Sequence, residues 1–206
     1  MPLISADGRE RRASRALGLI NTLKSSPPGQ IIFVSDEKNF VVDPVYNPQN
    51  DRYISFKDLD GTMGDAGDPG KYVGRSKHPA GAMFLGAVAS TGETSPPIWF
   101  AEGFRLNADS YIKALKKTLI PWMRTVAEAH ASSTGVPAPF LLQQDSAPAH
   151  RAKKTLEFLK EENVNFWSPQ QWPANSPDLN PLDYAIWAIV AQGSCKTRPT
   201  SVPALK

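Results

Sequence analysis

Three carboxylates stand at the borders of apolar runs. Asp36 follows "IIFVS", Asp145 follows "FLLQQ", and Asp183 opens the apolar part of "NSPDLNPLDYAIW". The first two belong to strand-like runs that could lie side by side, and a final helix could bring the third to them. Gathered acids repel, raise one another's pKa and cost stability. A divalent cation removes that cost. Mg²⁺ takes oxygen ligands and keeps several waters, so two or three carboxylates plus a substrate phosphate suit it. Two such ions about 3.5–4 Å apart activate an attacking oxygen and stabilise a leaving one in phosphoryl transfer. Strand ends and a helix start are rigid enough to hold such ligands.

Each acid also has a plainer explanation. Asp36 reads as a surface charge beside Glu37 and Lys38, and Asp145 as the opener of an Asp-Ser-Ala-Pro turn. Asp183 reads as the third residue of a helix capped by Asn180 with Pro181 first, where an acid favours the helix dipole. That role is compatible with holding a metal, and spacing alone leaves both readings open.

Other chemistry is weaker. Ser146, His150 and Asp145 make no hydrolase triad, for there is no G-x-S-x-G elbow and chain neighbours rarely supply triad geometry. His150 reads instead as a helix-start polar group beside the metal site, within reach of phosphate. His78 and His130 lack ligand spacing and are expected at the surface. The glycine-rich "GTMGDAGDPG" lacks the Lys-Ser/Thr of a P-loop and is expected to be a loop between strands. Arg9, Arg11, Arg12 and Arg15, with Lys113, Lys116 and Lys117, could meet phosphates in salt-dependent, sequence-blind contacts, or simply solvate helix faces. Trp99, Trp122, Trp167 and Trp187 read as core, and Trp172 as an exposed aromatic.

The elements that must position these groups follow from periodicity. Residues 9–24 predict a basic amphipathic helix with Ala13, Leu17 and Ile20 on its apolar face, stopped by "SSPPG". "QIIFVSDEKNFVVDP" predicts two β-rich runs around a charged centre; "DRYISF", "GAMFLGAVASTG" and "PPIWFAEGF" predict further strands. Residues 107–130 predict a helix capped by Asn107 or Asp109 and kinked at Pro121. Then come a strand "FLLQQD", a helix near 150–162 carrying Ala152, Leu156 and Leu159, and a short strand "VNFW". Pro169, Pro173, Pro177 and Pro181 recur every four residues and predict an extended, stiff loop. The last helix begins near Pro181, and the tail "SCKTRPTSVPALK" reads as loose. Strands first, then alternating helices and strands, predict a mixed sheet with helices on its faces.

Composition narrows the class. The 206 residues suffice for one large domain or two small ones, with 41% hydrophobic and 21% charged residues, as in a soluble globular protein. A formal charge of +3 permits a nucleic-acid partner without requiring one. The single cysteine, Cys195, forms no internal disulfide or Cys-rich zinc site and fits a reducing compartment. No apolar run approaches the roughly 18–20 residues that span a bilayer, and "MPLISADGRERRAS" has no secretory h-region. No membrane partner is expected.

Taken together, "FVSDEKNF", "QQDSAPAH" and "SPDLNPLDYAIW" resemble, in order, the three motifs of the catalytic half of mariner-like transposases of the DDE/DDD superfamily. The resemblance covers roughly residues 10–195. It implies an α/β, ribonuclease H-like fold, a mixed five-stranded sheet flanked by helices. It implies Asp36, Asp145 and Asp183 as catalytic and metal-binding residues holding two Mg²⁺ ions, with Mn²⁺ able to substitute. Asp178 is the rival for third place, but the family's third acid follows S-P-D-L-N-P rather than lying inside it. Ser146, His150, Lys38 and Asn180 are the expected DNA contacts or site supports.

The implied activity is DNA cleavage and strand transfer, with transposon ends and target DNA as partners, two chains pairing, and a nuclear location. Residues 1–29 are expected to be a basic linker-helix remnant, 30–195 the catalytic domain and 196–206 a loose tail. The expected copy lacks the helix-turn-helix DNA-reading half. Two features depart from the pattern. Ser146 replaces the family's usual Asn, and the interval from Asp145 to Asp183 is slightly longer than in mariner proper, as in a sister clade. The alternative is a non-catalytic relic or a repurposed DNA- or protein-binding module.

Overall fold

The longest strand, β1 (Ile31–Val41), runs unbroken through the charged Asp36-Glu37-Lys38 triplet. The sequence pattern predicts two runs here. The backbone ladder to β2 (Gly81–Ala89) carries the strand through, pairing Asp36 with Gly86 and Glu37 with Leu85. Ladder hydrogen bonds do not depend on side-chain polarity, so charge need not break a strand whose side chains alternate between faces. The computed structural model describes residues 5–42, 80–101, 103–194 and 201–205. The expected strand "DRYISF", the loop "GTMGDAGDPG", His78 and Cys195 lie outside the described residues.

β3 (Ile98–Trp99) adds antiparallel to β2, whereas β4 (Phe140–Gln143) and β5 (Asn165–Phe166) add in parallel on the other side of β1. The order β3-β2-β1-β4-β5 is the expected mixed five-stranded sheet. A parallel β1–β4 pair needs a long crossover. Part of it is α2 (Ala108–Ala114), a π-helical turn at Leu115–Leu119, and α3 (Ile120–Thr134). Asn107 caps α2 in a reciprocal box with Ser110. The wide turn lies immediately before Pro121, which occupies the first turn of α3, where its missing N–H costs little.

α4 (Pro148–Arg151) and α5 (Lys153–Glu161) follow β4, broken at Ala152, which is extended at ψ 136°. A π-helical turn at Leu182–Ile186 leads into α6 (Trp187–Ser194), and a short α7 spans Val202–Leu205. One sheet face packs Phe33, Leu85 and Leu142 in one core with Tyr111, Leu115, Leu119 and Met123 of the crossover helices and Leu159 of α5. The other face packs Val34 and Phe40 against Leu182 and Trp187.

That second side also receives α1 (Ala6–Lys24), capped by Ser5, through a cluster of Leu19, Leu141, Trp167 and Trp172. The expected apolar face is not the one used. Leu17 and Ile20 stay 59% and 46% exposed and Ala13 is exposed too, while Leu19 is buried. The stripe that docks is Arg12-Arg15-Leu19, at helical spacing. Arg12 donates to Ser176 Oγ (2.9 Å) and to Asp178 (2.7 Å), and Arg15 to the Trp172 carbonyl (3.1 Å). Polar bonds to the proline loop therefore choose the face. These same bonds hold Trp172 inward, contrary to its expected exposure. It is buried and stacked on Trp167 at 5.9 Å.

Candidate metal centre

β4 gives out at Gln143, opposite Val34, and from there β1 is paired only with β2. Asp36 and Asp145 each lie two residues beyond that last pair, so the parallel register sets them level. The sequence pattern expects each to end its strand. Asp36 instead sits in mid-strand, and Asp145 stands two residues past β4, in the turn before α4.

Alternation puts Asp36 on the face of Val34 and Phe40, and Glu37 on the face of Phe33 and Tyr111. Asp36 is 8% exposed, and its Oδ2 accepts the indole N–H of Trp187 at 2.6 Å. Burial pushes its carboxyl up to about 7, aided by the charges of Asp183, Glu37 and Asp145, while the Trp187 bond acts the other way. Lys38 is exposed on the same face.

Asp145 accepts the Ala147 amide at 2.8 Å and meets His150 Nδ1 at 2.7 Å. The opposite ring nitrogen, Nε2, lies 3.0 Å from Glu37 Oε1. His150 is 1% exposed and packs on the Tyr111 ring at 4.3 Å. Burial alone would lower its pKa, but the bonds and charges of Asp145 and Glu37 raise it to about 10. Burial opposes ionisation of Asp145 as well, yet the His150 bond and charge and the Ala147 amide hold that carboxyl below its usual range. With both ring nitrogens on carboxylates, buried His150 braces Asp145 against Glu37, a support of the site.

Asn180 is buried and works in two directions. Its Oδ1 accepts the Leu182 amide at 3.1 Å, capping the last helix, and its Nδ2 donates to Asp183 Oδ2 at 3.0 Å. Asp183, Asn180, Asp145 and Ser146 line one cleft of about 360 Å³, walled on its far side by Ser176 and Pro177 of the proline loop. Asp178 points away to Arg12 and its side chain is 62% exposed. The cleft thus joins Asp183, not Asp178, to Asp145.

Among the described residues, no three acidic, histidine or cysteine side chains close around one point. Asp36 is turned onto Trp187, Asp145 onto His150 and Asp183 onto Asn180. The donor set nonetheless suits a hard divalent cation, for it is carboxylate oxygen throughout. The Ser146 hydroxyl, buried beside Asp145, has no hydrogen-bond partner among the described residues. It can accept from a water or ligand entering the cleft.

Four contributors escape sequence reasoning. Glu37 is visible only as a neighbour of Asp36, and strand alternation would assign it to the wrong face for the cleft. Trp187 reads as core, which it is, but its N–H is spent on Asp36. Tyr111 donates its hydroxyl to Gln144 at 2.8 Å, tying α2 to the residue before Asp145. Arg12, read as a phosphate-facing cation, pins the cleft's wall.

No family model matches the sequence. The chain is 30% identical over 202 residues to the transposable element Tc3 transposase of Caenorhabditis elegans, covering 97% of this chain and 52% of that protein. Its fold is similar to Mos1 transposase in a paired-end complex with the left transposon end, with TM-score 0.68 and 20% identity over 100% of this chain and 54% of that one. It is also similar to the Mos1 transposase catalytic domain solved with raltegravir and Mg, with TM-score 0.58 and 18% identity over 98% of this chain and 79% of that one. Another Mos1 paired-end complex contains Mn. The chain spans about half the length of the Tc3 and Mos1 proteins it matches. Likeness in sequence along nearly its whole length and likeness in fold together support a mariner-like transposase catalytic domain, and the fold is the ribonuclease H-like mixed sheet of the Mos1 catalytic domain.

Proposed function

We propose that this domain cleaves DNA and transfers the cut strand at a divalent-cation site held by Asp36, Asp145 and Asp183. One observation carries the reading. Asp145 and Asp183 share a cleft at the point where β4 stops beside β1, and Asp36 is level with Asp145 in the register. Bound Mg²⁺ or Mn²⁺ would supply charge neutralisation at the scissile phosphate and an activated oxygen nucleophile.

The chain's own residues supply position. His150, braced by Glu37, holds Asp145 in its ionised form. Asn180 orients Asp183 at the helix start, and Trp187 holds Asp36. Ser146 offers its hydroxyl inside the same cleft. Exposed Lys38, Lys113, Lys116 and Lys117 suit a phosphate backbone. Transposon-end and target DNA as substrates, pairing of two chains, and a nuclear site of action belong to the same proposal. The Mos1 complex with a transposon end supports the first of these.

The test is nicking of supercoiled plasmid by the purified chain in Mn²⁺ or Mg²⁺. Wild type is expected to nick, and Asp145→Asn and Asp183→Asn to lose activity by at least about 100-fold while remaining folded. Retained nicking in either variant overturns the assignment. A second reading, a DNA- or protein-binding module without catalysis, is favoured by the engagement of the three carboxylates with separate partners. Absence of both Mn²⁺ binding and nicking in wild type would select it.

A further inference from the structure

Trp187 lies four residues after Asp183, across a π-helical turn, and so presents its ring on the side of the helix that carries that acid. Its indole is 3% exposed and packs edge-on against Phe40 and Phe84 at 6.1 and 5.7 Å. The N–H donates to Asp36 across 151 positions of chain, the one hydrogen bond described between α6 and that carboxylate.

β2 is shaped for this ring. Gly86 is the ladder partner of Asp36, and a Cβ there would lie 2.9 Å from Trp187 Cη2 and 2.7 Å from Phe84 Cε1, closer than packed carbons approach. The absent side chain makes the slot that lets the indole reach the acid. A merely apolar residue at 187 would fill the same pocket without a donor.

From this geometry we propose that Trp187 is a positioning residue for the cation site. It occupies Asp36 Oδ2, leaves Oδ1 for a cation, and sets the first acid and the third at a fixed spacing by tying α6 to β1. The inference rests on the divalent-cation reading for its functional consequence, but the contact itself is testable without metal. The role also differs from packing. Trp187→Phe keeps an aromatic ring in the cluster and deletes the donor together with part of the ring volume.

Two measurements on the full chain test it. The first is metal-free. The Trp187 indole N–H in ¹H–¹⁵N spectra should be shifted downfield and protected from exchange, and Asp36→Asn should move that resonance most among the five indoles. An indole N–H that exchanges freely or ignores Asp36→Asn overturns the proposal. The second is Mn²⁺ affinity by electron paramagnetic resonance. Trp187→Phe should weaken binding by about 10-fold or more at temperatures where the variant is still fully folded by its melting curve, the usual cost of losing a group that orients a metal ligand. Gly86→Ala, which crowds the slot instead, should weaken binding in the same direction. Equal Mn²⁺ affinity in wild type and Trp187→Phe overturns the proposal. If wild type itself binds no Mn²⁺, the cation reading fails, and the indole spectra still decide whether Trp187 holds Asp36.

Discussion

His150 and Asp36 are two side chains whose ionisation the fold shifts strongly, and each makes a pH prediction. His150 faces Glu37 from β1, Asp145 from the end of β4 and the Tyr111 ring from α2. Its folded pKa is raised from 6.5 to about 10, so its stabilisation is complete below pH 6.5 and is lost as pH rises towards 10. His150→Asn should therefore be most destabilising near pH 6, with its deficit against wild type shrinking by on the order of 3 kcal/mol by pH 10 in urea titrations. A deficit independent of pH would mean that the imidazole is neutral. Asp36 is also raised, from 3.8 to about 7, but here the favoured form is the uncharged acid. Its contribution is greatest below pH 3.8 and falls away as pH rises through 7. Without metal, Asp36→Asn should stabilise the domain by about 2 kcal/mol at pH 8 and by almost nothing at pH 4. Destabilisation at pH 8 would show that the acid is better solvated than its burial implies.

Helix α1 and the proline loop form a unit one level up. The Arg12–Asp178 pair is partly exposed, with side chains 27% and 62% accessible, so it contributes little to global stability. Its consequence is local, because the Ser176 that Arg12 also binds lines the cleft. Arg12→Ala is expected to cost under about 1 kcal/mol in unfolding. Limited proteolysis near residues 172–178 should quicken all the same. An unchanged cleavage rate would show that Trp172 stacking on Trp167 holds the loop by itself. Leu19→Ala, by contrast, should cost about 2 kcal/mol or more, because Leu19 is the buried anchor of α1 beneath that loop.

Across the whole molecule, clustered acids impose an electrostatic cost that a bound cation would relieve. Asp36 feels Asp183, Glu37 and Asp145 together. Ligand bound only to the folded state stabilises by mass action, about 2.7 kcal/mol at 100 times its Kd. For a chain of this size, saturating Mn²⁺ should raise the melting temperature by roughly 5 °C at pH 8. The rise should be smaller at pH 5, where Asp36 holds a proton that the cation must displace. Asp145→Asn should reduce the gain at both pH values. Equal shifts in wild type and variant would place the ion outside the cleft.

The sequence by itself determined the mixed sheet, the capped helix after Asn107, the three acids in order and the Asn180 cap, because periodicity, capping and short motifs are local properties of the chain. It did not determine which face of α1 docks, since Ala13-Leu17-Ile20 and Arg12-Arg15-Leu19 are both helical stripes and only loop contacts choose between them. Spacing alone does not choose between Asp178 and Asp183, five residues apart; the resemblance prefers Asp183, because the family's third acid follows S-P-D-L-N-P. In the tertiary structure Asp178 turns to Arg12, whereas Asp183 lines the cleft with Asp145. The His150 brace and the Trp187 bond span 113 and 151 positions of chain. Contacts of that range arise from strand register and side-chain direction, and a linear pattern holds neither until the sheet has closed.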